Sequence, residues 1–129
     1  MEIANISLLT LIEAFQLPDE MRHYKDYWWL QCPGYLPDCV AVVDKDGFVL
    51  DCGININEGK VAIRPVLIVS DIGSSELNVG DRIIIQKKSY VYIGNNRLLY
   101  NDEPIYHRFD LESDDYEKSE IKQIVDNWL

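Results

Sequence analysis

Apolar residues in this chain come mostly in short runs cut by turn-forming residues, the pattern of a β-rich domain. Ile6, Leu8 and Leu9 predict a buried strand leading into a short helix. Thr10, with Glu13 three residues on, forms a capping box that starts this helix, which runs to about Leu17. Pro18 ends it, because its ring removes a backbone donor and biases Leu17 away from helical angles. A polar connection dotted with aromatics then covers residues 19–27.

From Trp28 onward the segments shorten. Trp28-Trp29-Leu30 predicts a strand followed by a Pro33-Gly34 turn. Residues 40–43 and 48–50 predict a hairpin across Asp44-Lys45-Asp46-Gly47, with Gly47 where a positive φ is needed. Residues 61–69 read as one further strand. Proline cannot donate to a ladder, so Arg64-Pro65 inside it demands an edge, a bulge or a strand start. Residues 80–85, 90–93 and 97–100 predict three more strands, with Gly94-Asn95-Asn96 as a second turn signal, and residues 105–109 a last one. Near the C-terminus Asp114 precedes Glu117 by three, and Ile121, Ile124, Val125 and Trp128 form one apolar stripe at helical spacing. The pattern therefore predicts a single α+β domain over residues 1–129. Two short helices flank a mostly antiparallel set of short strands, with no repeat and no linker.

Composition adds a constraint. Of 129 residues, 47% are hydrophobic and 11% aromatic, enough for a packed core despite a formal charge of −10. Twelve Lys and Arg against 22 Asp and Glu speak against direct nucleic-acid binding, which is driven by cations displacing counterions from phosphates. Adhesion to an anionic membrane is disfavoured for the same reason. A basic partner is the class that this balance leaves open. The charge is uneven: residues 1–58 hold ten acids and three bases, residues 59–100 three and six, residues 101–129 nine and three. Asp102, Glu103, Asp110, Glu112, Asp114, Asp115, Glu117 and Glu120 make the last segment the densest. Two readings stand for this cluster. It is a solvated face whose acids favour a helix N-terminus, or a negative patch that meets a basic surface.

Other chemistry is sparsely signalled. Met1-Glu2-Ile3 carries an acid where a secretory signal carries Lys or Arg, and Ser7, Thr10 and Glu13 break the apolar stretch that follows. A cytoplasmic protein without a membrane span is expected. Cys32, Cys39 and Cys52 are an odd number, expected as reduced thiols. Neither His23 nor His107 shares a ligand spacing with a cysteine, so no metal and no cofactor are expected. No Gly-x-Ser-x-Gly elbow and no Gly-rich phosphate loop occur, so a non-enzyme is expected. Asp44-x-Asp46-Gly47 opens like a calcium loop, but no Glu follows at the required spacing, and a turn is the reading.

Trp28-Trp29-Leu30-Gln31-Cys32-Pro33-Gly34, then Ala41-Val42-Val43, Asp46-Gly47 and Ile63-Arg64-Pro65-Val66-Leu67, carry a resemblance. They resemble a bacterial and phage domain of unknown function marked by Trp-Trp-Leu-Arg-Ser-Pro-Gly and Val-Arg-Pro-Ala-Leu stretches. Leu77-Asn78-Val79-Gly80-Asp81, Leu98-Leu99-Tyr100 and the segment from Tyr116 to Ile121 resemble that family's opening half. In this chain they follow the Trp-Trp motif, a circularly permuted order. Gln31-Cys32 departs from the family's Arg-Ser. The resemblance implies a C-type-lectin-like fold, shared with formylglycine-generating enzymes. No reactive cysteine pair carries their oxidase chemistry here. By residue type, Trp28, Trp29, Pro33, Gly34, Arg64 and Pro65 read as structural: one tryptophan anchors the core, the other covers a loop, and Arg64 ties down loop carbonyls.

The expected function is a non-enzymatic protein-binding module. Its sharpest form is a small acidic phage-associated inhibitor that occupies a basic, nucleic-acid-binding surface of a bacterial host protein, as anti-CRISPR-type DNA mimics do. The alternatives are a self-assembling accessory module, favoured by eight interface-prone tyrosines and expected as a homodimer, and a small-ligand or glycan binder.

Overall fold

Capping chemistry starts the first helix as its residue types require. The computed structural model describes residues 3–34, 39–55, 61–70 and 77–106. In it, strand β1 (Ile3–Ser7) leads to helix α1 (Leu11–Gln16). Thr10 Oγ1 accepts the Glu13 N–H at 3.2 Å, and Glu13 Oε1 accepts the Thr10 N–H at 3.1 Å. Leu17 turns extended ahead of Pro18 and closes the helix. The polar connection expected next instead opens with a second helix, α2 (Asp19–Arg22). One turn is too short for an apolar period to show in sequence. Asp19 and Glu20 sit at its positive end and Arg22 at its negative end.

The remaining elements are strands: β2 (Trp28–Pro33), β3 (Cys39–Val43), β4 (Val49–Asn55), β5 (Ala62–Ile63), β6 (Val66–Val69), β7 (Arg82–Ile85), β8 (Lys88–Gly94), β9 (Arg97–Tyr100) and β10 (Ile105–Tyr106). They form two five-stranded sheets, ordered β1-β6-β9-β8-β7 and β10-β5-β2-β3-β4. Pairing is antiparallel throughout the described residues except between β2 and β5, which run parallel with Trp28 opposite Ala62. The fold is thus α+β with two short helices and mostly antiparallel strands. Both described helices lie between β1 and β2 rather than flanking the strands. The helix expected near the C-terminus falls outside the described residues.

Residues 61–69 hold the main correction. They form two strands in different sheets, and Arg64-Pro65 is the step between them. Proline tolerates that step because it needs no donor there, and its carbonyl still accepts the Tyr100 N–H at 2.9 Å. Two further strands outrun their apolar runs. β2 continues through Gln31-Cys32 to Pro33, where a turn was expected. β4 extends past Leu50 to Asn55, with Gly53 at φ +84 in its middle. A Cβ there would lie 2.6 Å from the Val40 carbonyl oxygen, so the strand holds its shape only with glycine.

Hairpin turns follow φ chemistry. Asp44 Oδ1 accepts the N–H groups of Asp46 and Phe48 at 2.9 and 3.0 Å, with Gly47 at φ +83. Asn95 and Asn96 both take positive φ between β8 and β9, as a type I′ turn requires. The β7–β8 turn has the same form but is built from Gln86 and Lys87, at φ +51 and +67. Side chains of that size are strained there. Replacing both (Gln86→Asn with Lys87→Gly) is expected to stabilise the protein by about 1 kcal/mol, read as a higher urea midpoint at unchanged m-value.

Strand alternation divides the core. Trp28, Leu30, Ala41 and Val43 of one sheet meet Val66, Val91 and Leu99 of the other, together with Ala14, Leu17 and Met21 from the helices. Trp29, Val40, Val42 and Ile63 point to the opposite face and pack with Leu8 and Val61. Both tryptophans are fully buried, Trp28 in the cluster between the sheets and Trp29 against Leu8 and Val61, which lie in the segments beside the strands. On the far side of the other sheet, Leu67, Val69, Tyr90, Leu98 and Tyr100 make a third cluster.

Candidate functional site

Arg64 occupies the step between the sheets, and its side chain is 1% exposed. Its guanidinium carbon lies 4.5 Å from the centre of the Tyr24 ring and 4.6 Å from that of Trp28, a cation held between two aromatic faces. Nε donates to the Tyr100 carbonyl at 2.9 Å, Nη1 to the Met21 carbonyl at 3.1 Å, and Nη2 to Asn101 Oδ1 at 3.4 Å. One side chain therefore joins α2, β2, the end of β9 and the loop that follows it. None of the ion pairs among the described residues reaches Arg64. Burial draws its pKa down to about 9, with Tyr24 opposing the shift, so the group keeps its charge at neutral pH.

The loop after β9 is held by its own network. Asp102 accepts the Ser89 N–H at Oδ2 and the Glu103 N–H at Oδ1, both at 2.8 Å. These bonds, the Ser89 one foremost, hold its carboxyl below the usual carboxylate range. The Tyr24 hydroxyl donates to the Asp102 carbonyl, and the Tyr100 hydroxyl to the Glu103 carbonyl at 2.7 Å. Burial raises both phenols, Tyr100 to about 12, so both keep the proton they donate.

Two openings meet above this network. One, of about 480 Å³, is bordered by Tyr24, Lys25, Lys45 and Glu103. The other, of about 270 Å³, reaches Arg64 and is walled by Glu20, Met21, Gly80 and Val91. His23, Arg82 and Asn101 line both. Around the larger opening Lys25 pairs with Glu103, and Lys45 lies 3.9 Å from Asp26. His23 lies 3.4 Å from Asp19. Arg82 is exposed and has no carboxylate partner among the described residues.

The expected site residues fare differently. Asp102 and Glu103 stand at the cleft, but the first caps a loop and the second pairs with a lysine. Asp110, Glu112, Asp114, Asp115, Glu117 and Glu120 lie outside the described residues. Trp28 and Arg64, 36 positions apart in sequence, stack on one another. Gly34 approaches β4 so closely that an added Cβ would lie 2.4 Å from the Cys52 carbonyl oxygen. The three cysteines are unbridged, and Cys32 Sγ accepts the Leu11 N–H at 3.1 Å. Among the described residues no three His, Cys, Asp or Glu side chains converge as a metal site would need, and no helix is long and apolar enough to cross a membrane.

Sequence reasoning missed Arg82, which sits in a predicted strand with no motif around it, and the cleft, which needs α2, β7 and the loop after β9 placed together. It also missed an apolar patch. Ile12 and Phe15 share one face of α1 and are 68% and 57% exposed; Phe48, in the β3–β4 turn, is 67% exposed. Arg22 draws the two segments together, donating from Nε to the Gly47 carbonyl at 2.9 Å and from Nη1 to the Phe15 carbonyl at 3.5 Å. Asp19 pairs with the same Arg22, and Asp44 caps the turn that carries Phe48. No family model matches this chain, and no match was found among curated proteins or solved structures.

Proposed function

We propose that this chain is a non-catalytic protein-binding module whose partner presents a basic surface, one that otherwise holds nucleic acid. The observation that carries the reading is the formal charge of −10, with nine acids against three bases gathered in residues 101–129. Such a concentration speeds encounter with a cationic surface and makes binding fall steeply with salt. The exposed Ile12, Phe15 and Phe48 supply the apolar anchors that acidic residues alone lack.

The same proposal carries the finer fold expectation, a C-type-lectin-like domain in circularly permuted order, acting in the cytoplasm of a bacterial host. The contact between Trp28 and Arg64 supports it, because the two most distinctive pieces of the resembling motif come together in space. A self-pairing module is the second reading, favoured by the edge strand β7, where Ile84 is 73% exposed.

The test is affinity capture from a bacterial lysate on the immobilised protein. A nuclease or other nucleic-acid-binding protein is expected to be retained at low salt and released by added salt or competing duplex DNA. Reversing the charge of Asp114, Asp115 and Glu117, or replacing Phe48→Ser, is expected to cut that capture about tenfold or more. Retention of no such protein, or retention that duplex DNA leaves unchanged, overturns the reading. A dimer insensitive to salt in size-exclusion runs would point to self-pairing instead.

A further inference from the structure

We propose that the cleft between α2, β7 and the loop after β9 binds the oxyanion group, phosphate or carboxylate, of a small molecule. Arg64 carries a buried charge with no carboxylate partner among the described residues, and desolvating an ion without a counter-charge is unfavourable. The rings of Tyr24 and Trp28 and three neutral oxygens offset part of that cost. Those three bonds use three of the five guanidinium N–H groups, and Arg64 lines the smaller opening. Asn101 spends its side-chain oxygen on Arg64, which leaves its amide N–H groups available. Arg82 and His23 complete a ring of donors around the 270 Å³ opening, with Glu20 the one carboxylate on its wall.

Such a donor set suits an oxyanion. Guanidinium groups recognise phosphate and carboxylate by paired N–H bonds. The smaller opening has room for the anionic group, and the adjoining 480 Å³ would take the rest of the molecule. Lys25 and Lys45 at the outer opening are occupied by Glu103 and Asp26, so Arg82 is the exposed cation on which capture depends.

Inorganic phosphate and succinate are the probes, titrated against the whole chain by thermal unfolding, with sodium chloride matching ionic strength. Either anion is expected to raise the midpoint saturably. Phosphate alone doing so assigns the phosphate class, and succinate alone the carboxylate class. Arg82→Glu, an exposed substitution that leaves the buried network untouched, is expected to weaken binding by about tenfold or more. Lys87→Glu, in the β7–β8 turn, makes the same charge change away from the cleft and is expected to leave affinity within about twofold. A response no greater than that to chloride, or equal effects of the two substitutions, overturns the proposal.

Discussion

Arg64→Met is expected to destabilise the protein by about 3–5 kcal/mol, a large part of the stability that folded proteins have. Methionine fills much of the same volume but donates nothing. The Tyr100 and Met21 carbonyls and Asn101 Oδ1 would each lose their guanidinium donor. The rings of Tyr24 and Trp28 would lose the cation between them. Arg64→Lys is expected to fall between, about 2 kcal/mol below the parent, because an ammonium keeps the charge but cannot reach three acceptors in one plane. Urea unfolding of the three proteins checks the order. If Arg64→Met matched the parent, the network would be incidental to the join between the sheets.

Trp28→Ala and Trp29→Ala are each expected to cost about 3–5 kcal/mol, since both side chains are fully buried and neither cavity can close without moving a strand. Their coupling to Arg64 should differ. Trp28 forms one wall of the cation sandwich and donates its indole N–H to the Arg22 carbonyl at 3.1 Å. Trp29 packs on the other face of the sheet with Leu8, Val40 and Val42. A double-mutant cycle of Trp28→Ala with Arg64→Met is therefore expected to show about 1–2 kcal/mol of coupling, and the cycle with Trp29→Ala to be additive within about 0.5 kcal/mol. Equal coupling in the two cycles would mean that the sandwich adds nothing beyond packing.

Local chemistry was the legible part of this fold. The Thr10–Glu13 capping box, the stop at Pro18 and the Gly47 and Asn95-Asn96 turns each depend on residues within four positions of one another. Short-range sterics and hydrogen bonds decide such features, and sequence displays them directly. The β7–β8 turn escaped notice because Gln86 and Lys87 are not residues that prefer positive φ; the strand pairing on either side holds them there. β4 hid for a related reason. Asp51, Cys52 and Gly53 interrupt its apolar pattern, yet their pairing with β3 continues to Asn55 opposite Cys39.

The candidate site was hardly legible. Arg64 stood out beside Pro65 as a residue for loop carbonyls, but nothing in a linear pattern shows that those carbonyls belong to Met21 and Tyr100. Asp102 and Glu103 were legible as acids but not as a loop cap and a lysine partner. The excess of negative charge, by contrast, needs no fold to be counted.

By itself, then, the sequence determined the class of elements, the starts and stops set by caps and turns, and the sign of the protein's field. These are sums or short-range effects. Tertiary structure alone decided that residues 61–69 change sheets at Arg64-Pro65, that Trp28 and Trp29 anchor separate clusters, and that a buried cation faces a cleft. The physical reason is common to all three. Burial and desolvation depend on which distant segments exclude water from a group, and the chain's order along its length does not contain that information.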